Sequence, residues 1–226
     1  MATHSPLAHL FPRSSRSSST RGHTLGAPGL YDAFANVFFL GRRRATFESL
    51  MRAAGVQPRQ RVLDVGCGTG YFARLLADTV GVGGLVVGVD ASPEMIEYAN
   101  RQHRRPGSCQ FQIGAAEALS FPPEHFDVVV SSLFMHHLPA DLRPTAIAEM
   151  RRVLRPGGVL LIAEAQMPRA RGWRLLARLH GYDRMARAVP DLERLIADAK
   201  FEQIGSGDAP PWLRYVQAVR GAIGPT

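Results

Sequence analysis

Asp64-Val65-Gly66-Cys67-Gly68-Thr69-Gly70 sets three glycines at alternate positions behind the apolar run Arg61 to Val65 and ahead of a helical pattern that starts near Tyr71. Glycine at positions 66 and 68 lets the backbone turn tightly and approach a ligand with no Cβ in the way, which at the carboxyl end of a strand suits a nucleotide-type loop. The same glycines would also serve a plain tight turn. Asp90 lies 20 residues beyond Gly70 and ends the run Gly84 to Asp90. A carboxylate there can accept hydrogen bonds from both hydroxyls of a ribose. Its other candidate duty, capping the next helix, is already filled by Ser92 with Pro93 behind it. His136-His137 follows a fourth apolar run. An imidazole there could take a proton from a substrate, or one ring could pack on the next helix while the other meets solvent. Adjacent histidines are expected to point apart, and Cys67 and Cys109 show no CxxC or Cys/His spacing, so no metal is expected.

Those residues need a frame to hold them. Five short runs, at Arg61 to Gly68, Gly84 to Asp90, Cys109 to Ala115, Phe126 to Ser132 and Gly158 to Glu164, are apolar or β-branched and follow one another at about 20 to 35 residues. Between them apolar residues recur at helical spacing: Phe72, Leu75, Leu76 and Val80; Met95, Ile96 and Ala99; Ile147, Met150, Val153 and Leu154. Parallel strands need crossover connections, so this rhythm predicts an α/β, doubly wound sheet with helices on both faces. An amphipathic helix (Leu192, Leu195, Ile196, Ala199) and strands near Phe201 to Ile204 and Trp212 to Val219 are expected to end the chain.

Residues 1–27 are rich in Ser, Arg, His, Gly and Pro, with no acidic residue before Asp32, and read as a disordered leader. A transit peptide is the alternative reading of that segment. Residues 28–226 then form a single domain, with residues 28–54 as an N-terminal helical cap built on Tyr31, Phe34, Val37, Phe38, Phe47, Leu50 and Met51 around Gly41-Arg42-Arg43-Arg44. Residues 167–190, basic and aromatic, are a candidate cover for a substrate, or an amphipathic helix with a solvated arginine face. The net charge of +8 comes from 26 Arg and one Lys, Lys200. Scattered arginine reads as genome composition, while attraction to an acidic substrate or peripheral contact with an anionic membrane stays open. No apolar stretch nears the roughly 20 residues of a membrane span, and unpaired cysteines suit a cytoplasmic location.

Four segments together resemble the successive motifs of class I S-adenosylmethionine-dependent methyltransferases: "VLDVGCGTGYFARLLA", "VVGVDASPEMIEYAN", "FDVVVSSLFMHHL" and "EMRRVLRPGGVLLIAE". Within that class the resemblance is to the small-molecule branch that includes ubiquinone and menaquinone biosynthesis C-methyltransferases. It implies a Rossmann-like, mostly parallel seven-stranded sheet with an antiparallel strand near the C-terminus, and methyl transfer from S-adenosylmethionine, leaving S-adenosylhomocysteine, to a small hydrophobic or aromatic acceptor. The loop Gly66 to Gly70 would lie along the methionine part, with Asp64 near its amino group and Asp90 on the ribose. Ala91 and Met95 would flank the adenine, Ala116 and Glu117 would sit at its edge, and Ser131 would mark the strand end beneath the sulfonium. Ala115-Ala116 stands where the family often has Asp-Ala, which removes one hydrogen bond to the adenine amino group or leaves it to Glu117.

Two rival enzymes are disfavoured by the residues present. A nicotinamide-dependent oxidoreductase wants Gly-x-Gly-x-x-Gly, and its short-chain branch wants Tyr four residues before Lys, whereas Ile196 precedes the single lysine. A nucleic-acid base methyltransferase wants Asn or Asp, two prolines and an aromatic where Ser131-Ser132-Leu133-Phe134 stand. Nucleic-acid methylation and a non-catalytic, donor-binding scaffold remain the alternatives to be separated by experiment.

Overall fold

A computed structural model describes residues 28–103, 109–166 and 192–221. The leader 1–27 and the candidate cover 167–190 lie outside the described residues. Helices α1 (Pro28–Phe38) and α2 (Arg43–Ala53) come first. Then β1 (Arg61–Val65), α3 (Tyr71–Val80), β2 (Leu85–Asp90), α4 (Pro93–Gln102) and β3 (Cys109–Ile113) alternate. β4 (Phe126–Ser132), a 3-10 turn (Met135–His137), α5 (Arg143–Val153) and β5 (Leu154–Ala165) follow, and α6 (Leu192–Asp198), β6 (Phe201–Ala209) and β7 (Leu213–Arg220) end the chain. The seven strands form one sheet in the order β3-β2-β1-β4-β5-β7-β6. The first five pair in parallel, and β7 runs antiparallel to both β5 and β6. This is the Rossmann-like sheet expected, with a single reversed strand.

The sheet is buried on both faces, and the period of two along each strand divides its side chains between two cores. Val62, Val128, Val130, Leu161 and Ala163 pack with α2 and α3 through Phe47, Leu50, Phe72 and Leu76. Their neighbours Leu63, Val87, Val129, Leu160 and Ile162 pack on the other face with Ile147, Met150 and Ile196 from α5 and α6. The helix ends follow local chemistry. Ser92 caps α4 by accepting from Met95 N at 3.2 Å, with Pro93 in its first turn. α3 begins at Gly70 and stops at Gly81, both at positive φ (71° and 60°). Trp212 Nε1 donates to Phe38 O at 2.8 Å, tying the C-terminal hairpin to the end of α1.

Leu161 sits in the middle of β5, fully buried between Val130 and Gln217. Truncation to alanine leaves a cavity that close-packed neighbours cannot fill and should cost about 2–5 kcal/mol. Alanine at Val82, which is 98% exposed, should stay within roughly 0.5 kcal/mol of wild type. Paired thermal and urea unfolding of the two variants checks this, and equal losses would mean that the two-sided core is misassigned.

Candidate active site

β1 pairs with β2 on one side and β4 on the other, so the connections leaving β1 and β4 diverge to opposite faces and open a crevice at their carboxyl ends. The loop after β1 floors it. Gly66 N and Cys67 N both donate to Val89 O, at 2.8 and 3.0 Å, which folds the loop back over β2. Gly66, Gly68 and Gly70 all have positive φ (74°, 51° and 71°). A Cβ on Gly66 would strike the Phe134 ring, and one on Gly70 would lie 2.5 Å from Phe111. At Gly68 a Cβ would meet nothing within 4 Å, so only this glycine faces open space.

Asp90 joins the two loops of the crevice. Its Oδ2 accepts from Gly68 N at 2.9 Å and its Oδ1 from Ser92 N at 2.8 Å. Burial raises the Asp90 pKa and those two N–H groups lower it. Asp64, one residue before the end of β1, is 1% exposed, and neither carboxylate oxygen has a hydrogen-bond partner of ordinary length. Burial first and the Asp90 charge second push its pKa up to about 8, with the Ala73 N–H pulling weakly the other way. Cys67 also lines the crevice, and burial holds its thiol well above the ordinary value, aided by Asp90 and Asp64. It is an inert thiol rather than a nucleophile.

The cap helices close the crevice from above. Tyr31, Ala35 and Phe39 from α1 and its end, with Arg43 and Phe47 from α2, line a cavity of about 830 Å³ that includes its open mouth. Arg43 is 6% exposed, and its Nη1 donates to Asp32 Oδ1 at 2.9 Å. Thr69 Oγ1 donates to the same oxygen at 2.8 Å, and the guanidinium lies 3.8 Å from the centre of the Tyr71 ring. Arg43 Nε is buried with no partner. In the sequence the Arg42-Arg43-Arg44 run gives no sign that one of its members is buried. The signal that singles out its middle residue is helical phase, because Arg43 precedes Phe47 and Leu50 on the apolar face of α2.

At the far end Ser132, Leu133, Phe134, His137 and Leu138 line the cavity. Leu133 holds φ 54° there, an uncommon conformation for a side chain of that size. Ser131 is fully buried and faces the other way, its hydroxyl donating to Val65 O at 2.9 Å, so it braces β4 against β1. The two histidines do not point apart as expected. Their ring centres are 4.1 Å apart at 41°, because the 3-10 turn brings them onto one side while Met135 enters the core. His136 Nδ1 lies 2.7 Å from Glu164 Oε2, and the fully buried Glu164 also accepts from Met135 N at 2.6 Å and Phe134 N at 3.1 Å through Oε1. Glu164, missed in the sequence, thus anchors the whole turn. Of the expected donor-side residues, Gly66, Gly68, Asp90, Ala91 and Met95 line the cavity. Gly70, Asp64 and Ser131 are not among the lining residues, nor are Ala115 and Ala116, both buried, and half-buried Glu117. Among the described residues no group of three His, Cys, Asp or Glu side chains could hold a metal ion, and no helix is long and apolar enough to cross a membrane.

Residues 62–158 match the family model described as the methyltransferase domain. The sheet order and the loop geometry above are those that the resemblance to class I S-adenosylmethionine-dependent methyltransferases implies. Among curated relatives it is 34% identical over 148 residues to the demethylmenaquinone methyltransferase of Geobacillus kaustophilus, covering 65% of this chain and 62% of that protein. It is 29% identical over 200 residues to a ubiquinone/menaquinone biosynthesis C-methyltransferase of Shewanella piezotolerans, covering 77% and 79%. The chain therefore spans about three fifths of the first relative and four fifths of the second. A crystal structure of a SAM-dependent methyltransferase from Aquifex aeolicus shares the fold, with TM-score 0.64 and 20% identity over 77% of this chain and 89% of that one.

The buried Asp64 carries a pH signature. Its folded-state pKa of about 8 exceeds the ordinary 3.8, so the folded protein holds a proton that the unfolded chain releases. The stability this contributes is full below about 4 and is lost as pH rises through about 8. A cationic ligand that pairs with the ionised carboxylate must displace that proton, so its affinity should rise by up to tenfold per pH unit between 6 and 8, then level off. Calorimetry in buffers of different ionisation enthalpy should record proton release that Asp64→Asn abolishes. A flat profile in wild type would place the Asp64 pKa near normal.

Proposed function

We propose that the chain transfers the methyl group of S-adenosylmethionine to a small hydrophobic or aromatic molecule, such as a quinone precursor or a lipid. The observation that carries this reading is a ribose-competent carboxylate, Asp90, hydrogen-bonded to an open glycine in the crevice, with buried polar atoms left unpaired on Asp64 of the adjoining strand and on Arg43 of α2. Asp64 offers two unpaired oxygens and Arg43 an unpaired N–H, which complement the ammonium and carboxylate of an amino-acid ligand. A buried polar atom without a partner costs about 1–3 kcal/mol, more when charged, so such a site is built to be completed.

Asp90 would hold the ribose hydroxyls with the lone pairs left free by Gly68 and Ser92. The open face at Gly68 would let the backbone lie against the methionine chain, and Ala91 and Met95 would sandwich the adenine. The turn at residues 114–118 is tethered to Asp90 by Gly114 N donating to Asp90 O at 3.0 Å, and Ala116 and Glu117 on it are assigned to the adenine edge. When bound, the donor would supply an electrophilic sulfonium methyl that an acceptor atom takes by displacement, leaving S-adenosylhomocysteine. The chain's own contribution is positioning in a dry cavity, which can lower a barrier by about 7–11 kcal/mol. Ser131 braces the strand ends beneath that point. His137, on the cavity wall, would accept a proton at its ring nitrogen where the methylated atom carries one, while His136, held by Glu164, positions the turn. Demethylmenaquinone and ubiquinone/menaquinone methyltransferases among the relatives and the aromatic cap residues both favour an apolar acceptor. The buried, unbridged cysteines favour the reducing cytoplasm.

Titration of the whole chain with S-adenosylmethionine, S-adenosylhomocysteine and NAD tests the donor. The two sulfur ligands should saturate, NAD should not bind, and Asp90→Ala should weaken binding at least tenfold, the loss of about 1.4 kcal/mol or more. Failure of well-folded wild type to bind either sulfur ligand would defeat the reading. On the acceptor side His137→Ala should lower turnover more than tenfold with donor affinity intact, whereas His136→Ala should lower the melting temperature along with turnover. Equal, purely thermal effects of the two would remove His137 from proton transfer.

A further inference from the structure

α1 is apolar on both sides. Tyr31, Ala35 and, just past its end, Phe39 face the cavity. Leu30, Ala33, Val37 and, beyond the last turn, Leu40 are exposed, with Leu30 at 43%, Val37 at 74% and Leu40 at 65%. Leu30, Ala33 and Val37, spaced three and four residues apart, share one stripe of α1, an arc of about 60° for an ideal helix, and Leu40 follows just past the helix end. The other large apolar side chains exposed among the described residues, Val82, Ile113 and Ile204, belong to separate elements and need no explanation. A surface helix ordinarily turns a polar face to water, so the stripe on α1 marks a surface that something covers.

The charge around it says what. The stripe runs into Arg42 and Arg44, both exposed, of which Arg44 shares its charge with Glu48 at 2.8 Å. The only acidic residue between positions 28 and 47 is Asp32, already engaged by Arg43 and Thr69. Apolar side chains on one face, flanked by two arginines with Glu48 as the nearby surface carboxylate, are the composition that seats a helix in the headgroup region of an anionic bilayer. We propose that α1 docks the protein on an anionic lipid surface through Leu30, Val37 and Leu40, with Arg42 and Arg44 against the headgroups. Because the opposite side of the same helix lines the cavity, docking would open the cavity toward the phase in which an apolar acceptor dissolves. That delivery role rests on the methyl-transfer reading above, whereas the docking itself does not.

Co-sedimentation of the full chain with phosphatidylcholine vesicles, with and without about a quarter phosphatidylglycerol, tests the surface. Wild type should partition onto the anionic vesicles and dissociate as salt is raised. Val37→Glu combined with Leu40→Asn, the latter chosen because Asn tolerates the positive φ of 51° at that position, should lower partitioning at least tenfold. Arg42→Ala should lower it and flatten its salt dependence, and both variants should keep the wild-type melting temperature and donor affinity. Absence of wild-type binding, or binding unchanged in the Val37/Leu40 variant, overturns the proposal. So does a wild-type dimer in light scattering that the same variant splits, since a second copy would then cover the stripe. Loss of donor binding in wild type would sink the methyl-transfer reading and leave the vesicle result standing.

Discussion

The carboxylate of Asp90 is the joint on which the site turns. One oxygen fixes Gly68 in the loop after β1 and the other fixes Ser92 in the turn after β2, so two loops from adjacent strands share a single anchor. The register Val65↔Val89 sets the height of that anchor, and the register is set in turn by apolar side chains that must stay on their own side of the sheet. Gly66 and Gly70 are needed for the fit, because Phe134 and Phe111 occupy the space that a Cβ would take. Gly68 is different in kind. It relieves no clash, and its positive φ of 51° is what calls for glycine there, leaving its open side toward the crevice.

Buried charge gathers at the same edge of the sheet. Asp64, Asp90, Arg43 and Glu164 come from β1, β2, α2 and β5, and all four reach the carboxyl ends of the parallel strands. Their states of completion differ. Glu164 is fully committed to two backbone N–H groups and an imidazole. Asp90 is half committed, and Asp64 and Arg43 Nε are left without partners. The gradient distinguishes these groups better than burial does, since Glu164 and Asp64 are both hidden from water.

Much of this was legible in the chain because it rests on local chemistry. Five strands announced themselves as β-branched runs, α4 by Ser92 and Pro93, and the loop by its glycines at the end of a strand. What could not be read depends on phase or on distant partners. Ser131 and Ser132 are interchangeable in type, and only the pleat of β4 decides which one meets Val65 and which the cavity. Arg43 differs from Arg42 and Arg44 by a rotation on α2. Glu164 is 28 residues from His136, so no spacing rule links them. The histidine rings met because a 3-10 turn replaced the extended geometry under which neighbours diverge.

The unpaired state of Asp64 also bears on how the fold tolerates its own site. With a pKa of about 8 the carboxyl is mostly neutral at pH 7, so the protein avoids the several kcal/mol of holding a bare buried anion. Ionising it to meet a cationic ligand costs about 1.4 kcal/mol at that pH. A hydrogen bond to a charged group returns roughly 1.5–3 kcal/mol, so the exchange is close to balanced for one bond and favourable once Arg43 gains its own partner. Asp64 is thus poised to be neutral without a ligand and charged when paired with a cationic one, and such binding would stabilise the folded chain by mass action. A carboxylate paired within the protein, as at Glu164, would have been more stable and of no use for binding.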